Sequence, residues 1–397
     1  MEVGRSIGFA AKPTQRMKPF QINIPQQTLD DLLTRLANTR WPDEVTETGW
    51  KLGTNKTYLK ELVQYWQHGF DWRKQEEMLN QFAHFRAEVD GFGLHYIHER
   101  SKGHNPMPLL LSHGWPDSFC RFVKLIPMLT DPAAHGGRTE DVFDVVVPSL
   151  PGFGFSDKPS KKGYGKGQMA HLLHKLMTQT LGYSHYAAHG GDVGSSIAEA
   201  LAMNQPDSLV GIHLIDVPYW HLFAIQAEDL SEPEKKYLET GQQWQMTEGA
   251  YAMMQSTKPQ TLAYGLNDSP TGLAAWMVEK LQAWSDCGGD VESRFTKDEL
   301  LTNITLYWAT ETIRSSFTPY FDEDQEAPPK PGKINVPTGV AIFPKDIVPA
   351  PREFAERFYN LQRWTEMPRG GHFAALEEPE LLAEDLRNFF RPLREKR

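Results

Sequence analysis

Cysteine is scarce. Cys120 and Cys287 are the only two in 397 residues, and they lie far apart. That excludes a disulfide framework and a cysteine-based metal site, and it suits a reducing compartment. Positive charge is in deficit, with 41 Lys and Arg against 51 Asp and Glu, a formal net charge of −10. No basic run with interleaved aromatics occurs. Nucleic acid and anionic membrane are therefore poor candidates for the main partner. Residues 1–25 hold no apolar run long enough for a signal peptide or a membrane span, so a soluble, cytoplasmic protein is expected. Internal repeats and low-complexity tracts are also missing. Apolar and aromatic residues, by contrast, are plentiful: 40% of the chain is hydrophobic, with 11 Trp, 13 Tyr and 21 Phe. Core packing accounts for most of them, and some are expected to line an apolar pocket. The length fits one large α/β domain with an inserted or appended region.

The first 95 residues have mostly helical patterning. Leucines at 29, 32, 33 and 36 share one helix face, with Thr28 as the expected N-cap. Further helices are expected over 55–70 and 73–82, and a first strand over 89–99. From there strand and helix alternate. Strands are expected at 108–112, 143–148, 183–189 and 210–217, and helices at 119–129, 167–181 and 193–205. Runs apolar at every position, such as Leu109, Leu110 and Leu111, suit strands buried on both faces of a parallel sheet. The alternation stops near Pro218. Helical, aromatic-rich sequence follows to about Glu326, and residues 322–333 read as a linker. A strand at 336–343, a helix at 351–360, a strand at 361–367 and a helix at 379–390 close the chain. The fold class is therefore α/β: a mostly parallel, doubly wound sheet at 96–218 and 327–397, a helical lid inserted at 219–326, and an N-terminal helical region at 1–95.

One stretch organises the chemistry. His189-Gly190-Gly191-Asp192-Val193-Gly194 has the pattern of a nucleophile elbow, with aspartate where many hydrolases carry serine. The elbow is a sharp turn from strand to helix, and small residues flank it because a Cβ would collide. Asp192 is the expected nucleophile. Asp346, just past a strand, and His372, in a Gly-rich loop, follow in the order nucleophile, acid, histidine. All three are expected at the carboxyl ends of parallel strands, where such sheets build their sites. Asp216, at another strand end, is a rival partner for His372. The loop His113-Gly114-Trp115-Pro116 can supply backbone N–H groups, so Trp115 and Val193 are the expected oxyanion donors. A carboxylate nucleophile attacks an sp³ carbon bearing a leaving group, and an ester forms on the enzyme. Water activated by His372 then cleaves that ester. Two leaving groups fit: a halide, which wants weak N–H donors, or an epoxide oxygen, which needs a proton donor such as a phenol.

Across nearly its whole length the sequence resembles epoxide hydrolases of the α/β-hydrolase fold, the microsomal-type and fungal soluble enzymes in particular. The resemblance rests on Arg40-Trp41-Pro42, on the 113–116 loop, on Pro151-Gly152-Phe153-Gly154-Phe155-Ser156, on the elbow, on lid stretches at 255–261 and 266–275, and on 369–382 around His372. It implies that two lid tyrosines activate the epoxide oxygen, similar by position to Tyr251 and Tyr320. It implies that Asp346 orients His372, where the microsomal branch often has glutamate. It further implies a small apolar epoxide, aromatic ones included, and water as reactants, with no cofactor and no metal. The microsomal branch has a membrane-spanning N-terminus, and the lack of one here implies a soluble form. A homodimer is left open. A haloalkane dehalogenase is disfavoured because Val193, not Trp, follows the nucleophile. A non-catalytic, ligand-binding scaffold is disfavoured by the intact triad.

Overall fold

The computed structural model describes residues 17–218, 221–222, 225, 229–322 and 332–394. Short strand β1 (Lys18–Pro19) leads into helices α1 (Gln26–Ala37), α2 (Lys56–His68) and α3 (Trp72–Leu79). A hairpin of β2 (His84–Val89) and β3 (Phe92–Glu99) follows, then β4 (Met107–Ser112), α4 (Leu125–Thr130) and β5 (Phe143–Pro148). Next come α5 (Lys166–Lys175), β6 (Tyr186–Gly190), α6 (Val193–Asn204) and β7 (Leu209–Leu214). Helices α7 (Glu232–Thr247), α8 (Ala250–Thr257), α9 (Pro259–Asp268), α10 (Pro270–Ala283), α11 (Lys297–Thr310) and α12 (Thr318–Phe321) come between β7 and the returning sheet. The chain ends with β8 (Ile334–Ile342), α13 (Arg352–Phe358), β9 (Tyr359–Glu366), α14 (Ala374–Glu377) and α15 (Pro379–Arg394).

Among the described residues the sheet has nine strands in the order β1-β2-β3-β5-β4-β6-β7-β8-β9. The pairings from β1 to β5 are antiparallel and the rest are parallel. Alternation along each strand feeds two cores. Leu110, Val146, Ala188 and Val340 join one, and Leu109, Leu111, Val145, Ala187 and Ala341 join the other. Burying each such leucine contributes about 1.5–3 kcal/mol. Helix α6 is buried from Val193 to Ala202, packed against β4, β6, β7 and β8. Its small residues let it lie close to the sheet, which fixes the position of the turn that starts it.

The helices between β7 and β8 are held from both ends. Ser231 with Glu234, and Thr296 with Glu299, form capping boxes that start α7 and α11. Helix α2 braces the other side. Tyr65 donates to Asp298 Oδ1 at 2.9 Å, Trp66 Nε1 donates to Thr305 Oγ1 at 3.0 Å, and Thr54 donates to the Ala275 carbonyl at 2.6 Å. The N-terminal helices therefore fix where the lid stands over the sheet.

Several boundaries differ from the sequence patterning, each for a local reason. The strand expected at 89–99 begins only at Phe92, as β3, because Asp90 and Gly91 both adopt positive φ and turn the chain back from β2, an unexpected strand that ends at Val89. Asp-Gly is the turn residue pair that such a hairpin selects. The helix expected at 119–129 is a short 3₁₀ turn, Phe119–Phe122, followed by α4. Pro127 has no N–H and is tolerated only in a first turn, so a new helix must begin just before it. Helix α1 starts at Gln26 with Pro25 at its cap, and Thr28 is not the cap. The segment after Lys175 continues as a π-helical turn through Thr180. Of the expected linker, residues 323–331 lie outside the described residues, as do Tyr219, Trp220 and Phe223 of the lid and residues 1–16 of the N-terminal stretch. Asp322 itself is buried and accepts from the amides of Gly163 and Tyr164 at 2.8 and 2.7 Å. Among the described residues no helix is long and apolar enough to cross a membrane.

Candidate active site

Asp192 stands between β6 and α6 with φ 59° and ψ −126°, a conformation rare for a residue with a side chain. Its neighbours make the turn possible. A Cβ on Gly190 would lie 2.0 Å from the Gly194 carbonyl oxygen, and one on Gly194 would lie 2.0 Å from that of Ser112. Only glycine lets strand, turn and helix approach so closely. The Trp115 N–H donates to Asp192 Oδ1 at 2.9 Å. Burial alone would push the Asp192 carboxyl up. His372 and the amides of Trp115 and Val193 outweigh it, holding the group below the usual carboxylate range. The carboxylate is therefore ionised at neutral pH, with one oxygen already seated against backbone donors.

His372 joins the site from the loop between β9 and α14. Its Nε2 lies 3.5 Å from Asp192 Oδ2, and its Nδ1 lies 2.7 Å from Asp346 Oδ1. Asp346 follows β8. Burial would lower the imidazole pKa, but Asp346 and then Asp192 raise it to about 10. The loop is fixed from two sides. The His372 amide donates to the Trp284 carbonyl at 2.8 Å, and its own carbonyl accepts from Arg121, which is buried and paired with Asp117.

Asp216, the rival acid, is turned to a different task. Its Oδ1 accepts from the Asp192 amide at 2.9 Å and from Ser195 Oγ at 2.7 Å. It ties the elbow to the end of β7. Burial, then the nearby charge of Asp346, pushes its carboxyl above the usual range. Asp216→Ala leaves a strained, buried amide unpaired. It is expected to destabilise the protein by about 1–3 kcal/mol. Asp216→Asn keeps the Oδ1 acceptor and is expected to lose less, as measured by urea unfolding of both variants.

The lid supplies the opposite wall. A cleft with about 1250 Å³ of empty space, open to solvent, is lined by Asp192, Asp216, Asp346 and His372 below and by Tyr251 and Tyr320 above. Tyr251 stacks on Trp115, with ring centroids 5.4 Å apart and planes 12° apart. Tyr320 meets Trp115 edge-on at 6.2 Å and Tyr251 at 6.0 Å. Burial, then the Asp192 charge for Tyr251 and the neighbouring Tyr251 phenol group for Tyr320, raises both phenol pKa values. Both hydroxyls therefore keep their protons at neutral pH and can donate. Among the described residues no group of three or more His, Cys, Asp or Glu side chains is placed to hold a metal.

The structure thus brings Asp192, Asp346, His372, Tyr251, Tyr320 and the Trp115 N–H to one cleft; Val193 acts through its amide on the Asp192 carboxyl. Sequence reasoning did not find the elbow tie of Asp216, the Asp117–Arg121 support of the histidine loop, or Lys280 against the Tyr251 ring. No local pattern marks these roles, because the contacts to Asp192, His372 and Tyr251 each cross a long stretch of chain.

Residues 17–122 match the model of the epoxide hydrolase N terminus, and residues 107–269 match that of the alpha/beta hydrolase fold. A Stigmatella aurantiaca protein provisionally named an epoxide hydrolase is 47% identical over 95% of this chain and 86% of its own length. Epoxide hydrolase 1 of Sus scrofa is 38% identical over 96% of this chain and 90% of its own. The solved Aspergillus niger epoxide hydrolase superposes with a TM-score of 0.83 at 31% identity, covering 96% of this chain and 97% of that one.

Proposed function

The chain belongs to the epoxide hydrolases of the α/β-hydrolase fold, and we propose that within this family's reaction Asp192 is the nucleophile, the His372–Asp346 pair the base, and Tyr251 with Tyr320 the proton donors. The activity is hydrolysis of an epoxide to a vicinal diol, with epoxide and water as the reactants. Haloalkane dehalogenation and ligand binding without catalysis are not favoured. The observation that carries the residue assignment is the cleft itself: a carboxylate with one oxygen on a backbone N–H, a histidine–aspartate pair beside it, and two protonated phenols on the facing wall.

The steps follow from the positions. Oδ2 of Asp192 attacks an epoxide carbon and a C–O ester bond forms. The ring C–O bond breaks, and its electron pair goes to the epoxide oxygen, which takes a proton from a phenol. Oδ1 becomes the ester carbonyl oxygen and already sits at the Trp115 amide, with the Val193 amide as second donor. Water then attacks Cγ of Asp192 as His372 Nε2 accepts its proton, and negative charge builds on Oδ1 in that hole. Collapse releases the diol, with the His372 proton passing to the departing oxygen. The proton left on the regenerated carboxyl replaces the one the phenol lost.

The apolar lining, with Val217, Pro218, Trp244 and Val348, favours a small apolar or aromatic epoxide. The same proposal assigns the nucleophile, the base pair and the oxyanion donors to residues 96–218 and 327–397, the lid with its two proton donors to 219–326 and its brace to 1–95. Two free, buried cysteines support a reducing, cytoplasmic setting.

Styrene oxide and a bromoalkane separate the readings. Diol from the first, with no bromide from the second, is expected; bromide alone would sink the assignment. Tyr251→Phe with Tyr320→Phe is expected to slow ester formation by about 10²–10⁴-fold while leaving ester hydrolysis near its normal rate. Rapid quenching of a single turnover checks this. Accumulation of ester in the double variant would contradict the role given to the phenols.

A further inference from the structure

Helix α10 carries a lysine where its sequence neighbours are core residues. Leu273, Ala274, Met277, Val278 and Leu281 are buried on this helix, and Lys280 is buried with them, 5% exposed. A buried ammonium is costly unless something compensates for its lost water. Its compensation here has two parts. Glu279 Oε2 lies 2.5 Å from Nζ, and two aromatic faces lie beneath the charge. Nζ is 5.0 Å from the centre of the Tyr251 ring and 5.7 Å from that of Trp284. Trp284 in turn touches the His372 ring at 5.3 Å. The cation therefore lies over the ring of a residue that lines the cleft.

We propose that Lys280 is a positioning residue for epoxide opening: its ammonium, held against the Tyr251 ring, stabilises the negative charge that the ring gains as the phenol gives up its proton. The idea rests on Tyr251 being a proton donor. A neutral phenol attracts a cation through its ring quadrupole. As the O–H proton moves to the epoxide oxygen, charge from the phenolate oxygen spreads into the ring and that attraction grows. An interaction stronger in the transition state than in the ground state speeds the step. The surroundings make such help useful. Burial and the charges of Asp192 and Glu279 all hold the Tyr251 proton on, opposing its release. Glu248, at the C-terminal end of α7, adds another carboxyl close to Glu279 and Lys280. Lys280 is the cation that lies over the ring, 5.0 Å from its centre, with Glu279 as its ion-pair partner. Its four-carbon stem also packs among the α10 core residues, so loss of charge and loss of packing have to be separated.

The experiment uses the full chain, styrene oxide and single turnovers stopped by acid, so that ester formation and ester hydrolysis are timed separately. Lys280→Met keeps the stem and removes the charge. It is expected to slow ester formation roughly tenfold, within the range of a desolvated cation–π contact, and to leave ester hydrolysis within about twofold. Lys280→Arg keeps a cation able to stack on the rings and is expected to recover most of the rate. In a Tyr251→Phe background, Lys280→Met is expected to change nothing further, because the charge it stabilises no longer forms. An unchanged rate of ester formation in Lys280→Met overturns the proposal. So does an equal loss in both backgrounds, or a parallel loss in ester hydrolysis, either of which marks a general disturbance of the lid. If Lys280→Met does not fold, judged by its unfolding curve, Lys280→Gln takes its place under the same criteria. A Tyr251→Phe variant that forms ester at the normal rate removes Tyr251 as donor, and the parent reading then fails before this one.

Discussion

Asp192→Asn is expected to lower diol formation by at least about 10⁴-fold, as loss of a covalent nucleophile does. The fold should persist. Asparagine has nearly the same shape, and its Oδ1 can still accept the Trp115 N–H now 2.9 Å from the aspartate. The Asp192 amide and its bond to Asp216 are backbone features that the change leaves in place. An unfolding midpoint close to the parent's, together with lost turnover, is therefore the expected pair of results. The oxygen balance gives a second measurement on the unaltered protein. The diol oxygen delivered in the first turnover comes from the carboxylate, and the water oxygen enters the carboxylate. A single turnover in ¹⁸O-water, with enzyme in excess, is expected to label the peptide containing Asp192 and to leave the diol unlabelled. Label in the first diol would mean that water attacks the epoxide directly, and Asp192 would then be a base rather than a nucleophile.

The elbow was legible in the sequence because its demands are local. A turn that admits no Cβ needs glycine at fixed offsets from the exposed residue, and Gly190 and Gly194 stand there. The order of Asp192, Asp346 and His372 was legible because each follows a strand of one parallel sheet. The choice between Asp216 and Asp346 was not. Both end neighbouring strands, β7 and β8, and only the direction of each side chain gives Asp346 the imidazole and Asp216 the elbow amide. The β2–β3 hairpin shows a different failure. Its turn signal, Asp90-Gly91, was present, but the apolar alternation of β3 drew the strand straight across it. Strand β2 also presents His84 inward, hydrogen-bonded to His95, so hydrophobic alternation under-reports it. Lys280 was invisible for a third reason. Nothing in its neighbourhood along the chain announces that Tyr251, on another helix, supplies the aromatic face against which it lies.

His372→Gln is expected to stop the cycle halfway, with ester formed on Asp192 and its hydrolysis slowed by about 10²–10⁴-fold. The asymmetry follows from the charges. Asp192 needs no base to attack, and the Trp115 and Val193 amides still favour its ionised form, so ester formation proceeds without the imidazole. Intact-protein mass spectrometry is expected to show a population one substrate heavier, with the added mass on the Asp192 peptide. The pH dependence of the parent protein has the same origin. In the free site His372 is held protonated up to about 10, since Asp346 and Asp192 together outweigh its burial. Esterification removes the Asp192 charge and with it two of the contributions that raise the imidazole. Its pKa must therefore fall in the intermediate, which delivers a neutral base at the moment one is needed. The sign is then fixed. Ester hydrolysis requires neutral His372, so kcat is expected to fall as pH drops through the pKa of the intermediate, at a midpoint below that of the free site. The kcat/KM for epoxide opening requires only ionised Asp192, whose carboxyl is held low, so it is expected to lack that acid limb. Matching acid limbs in both profiles would place His372 in the opening step, and the two-stage reading would have to be abandoned.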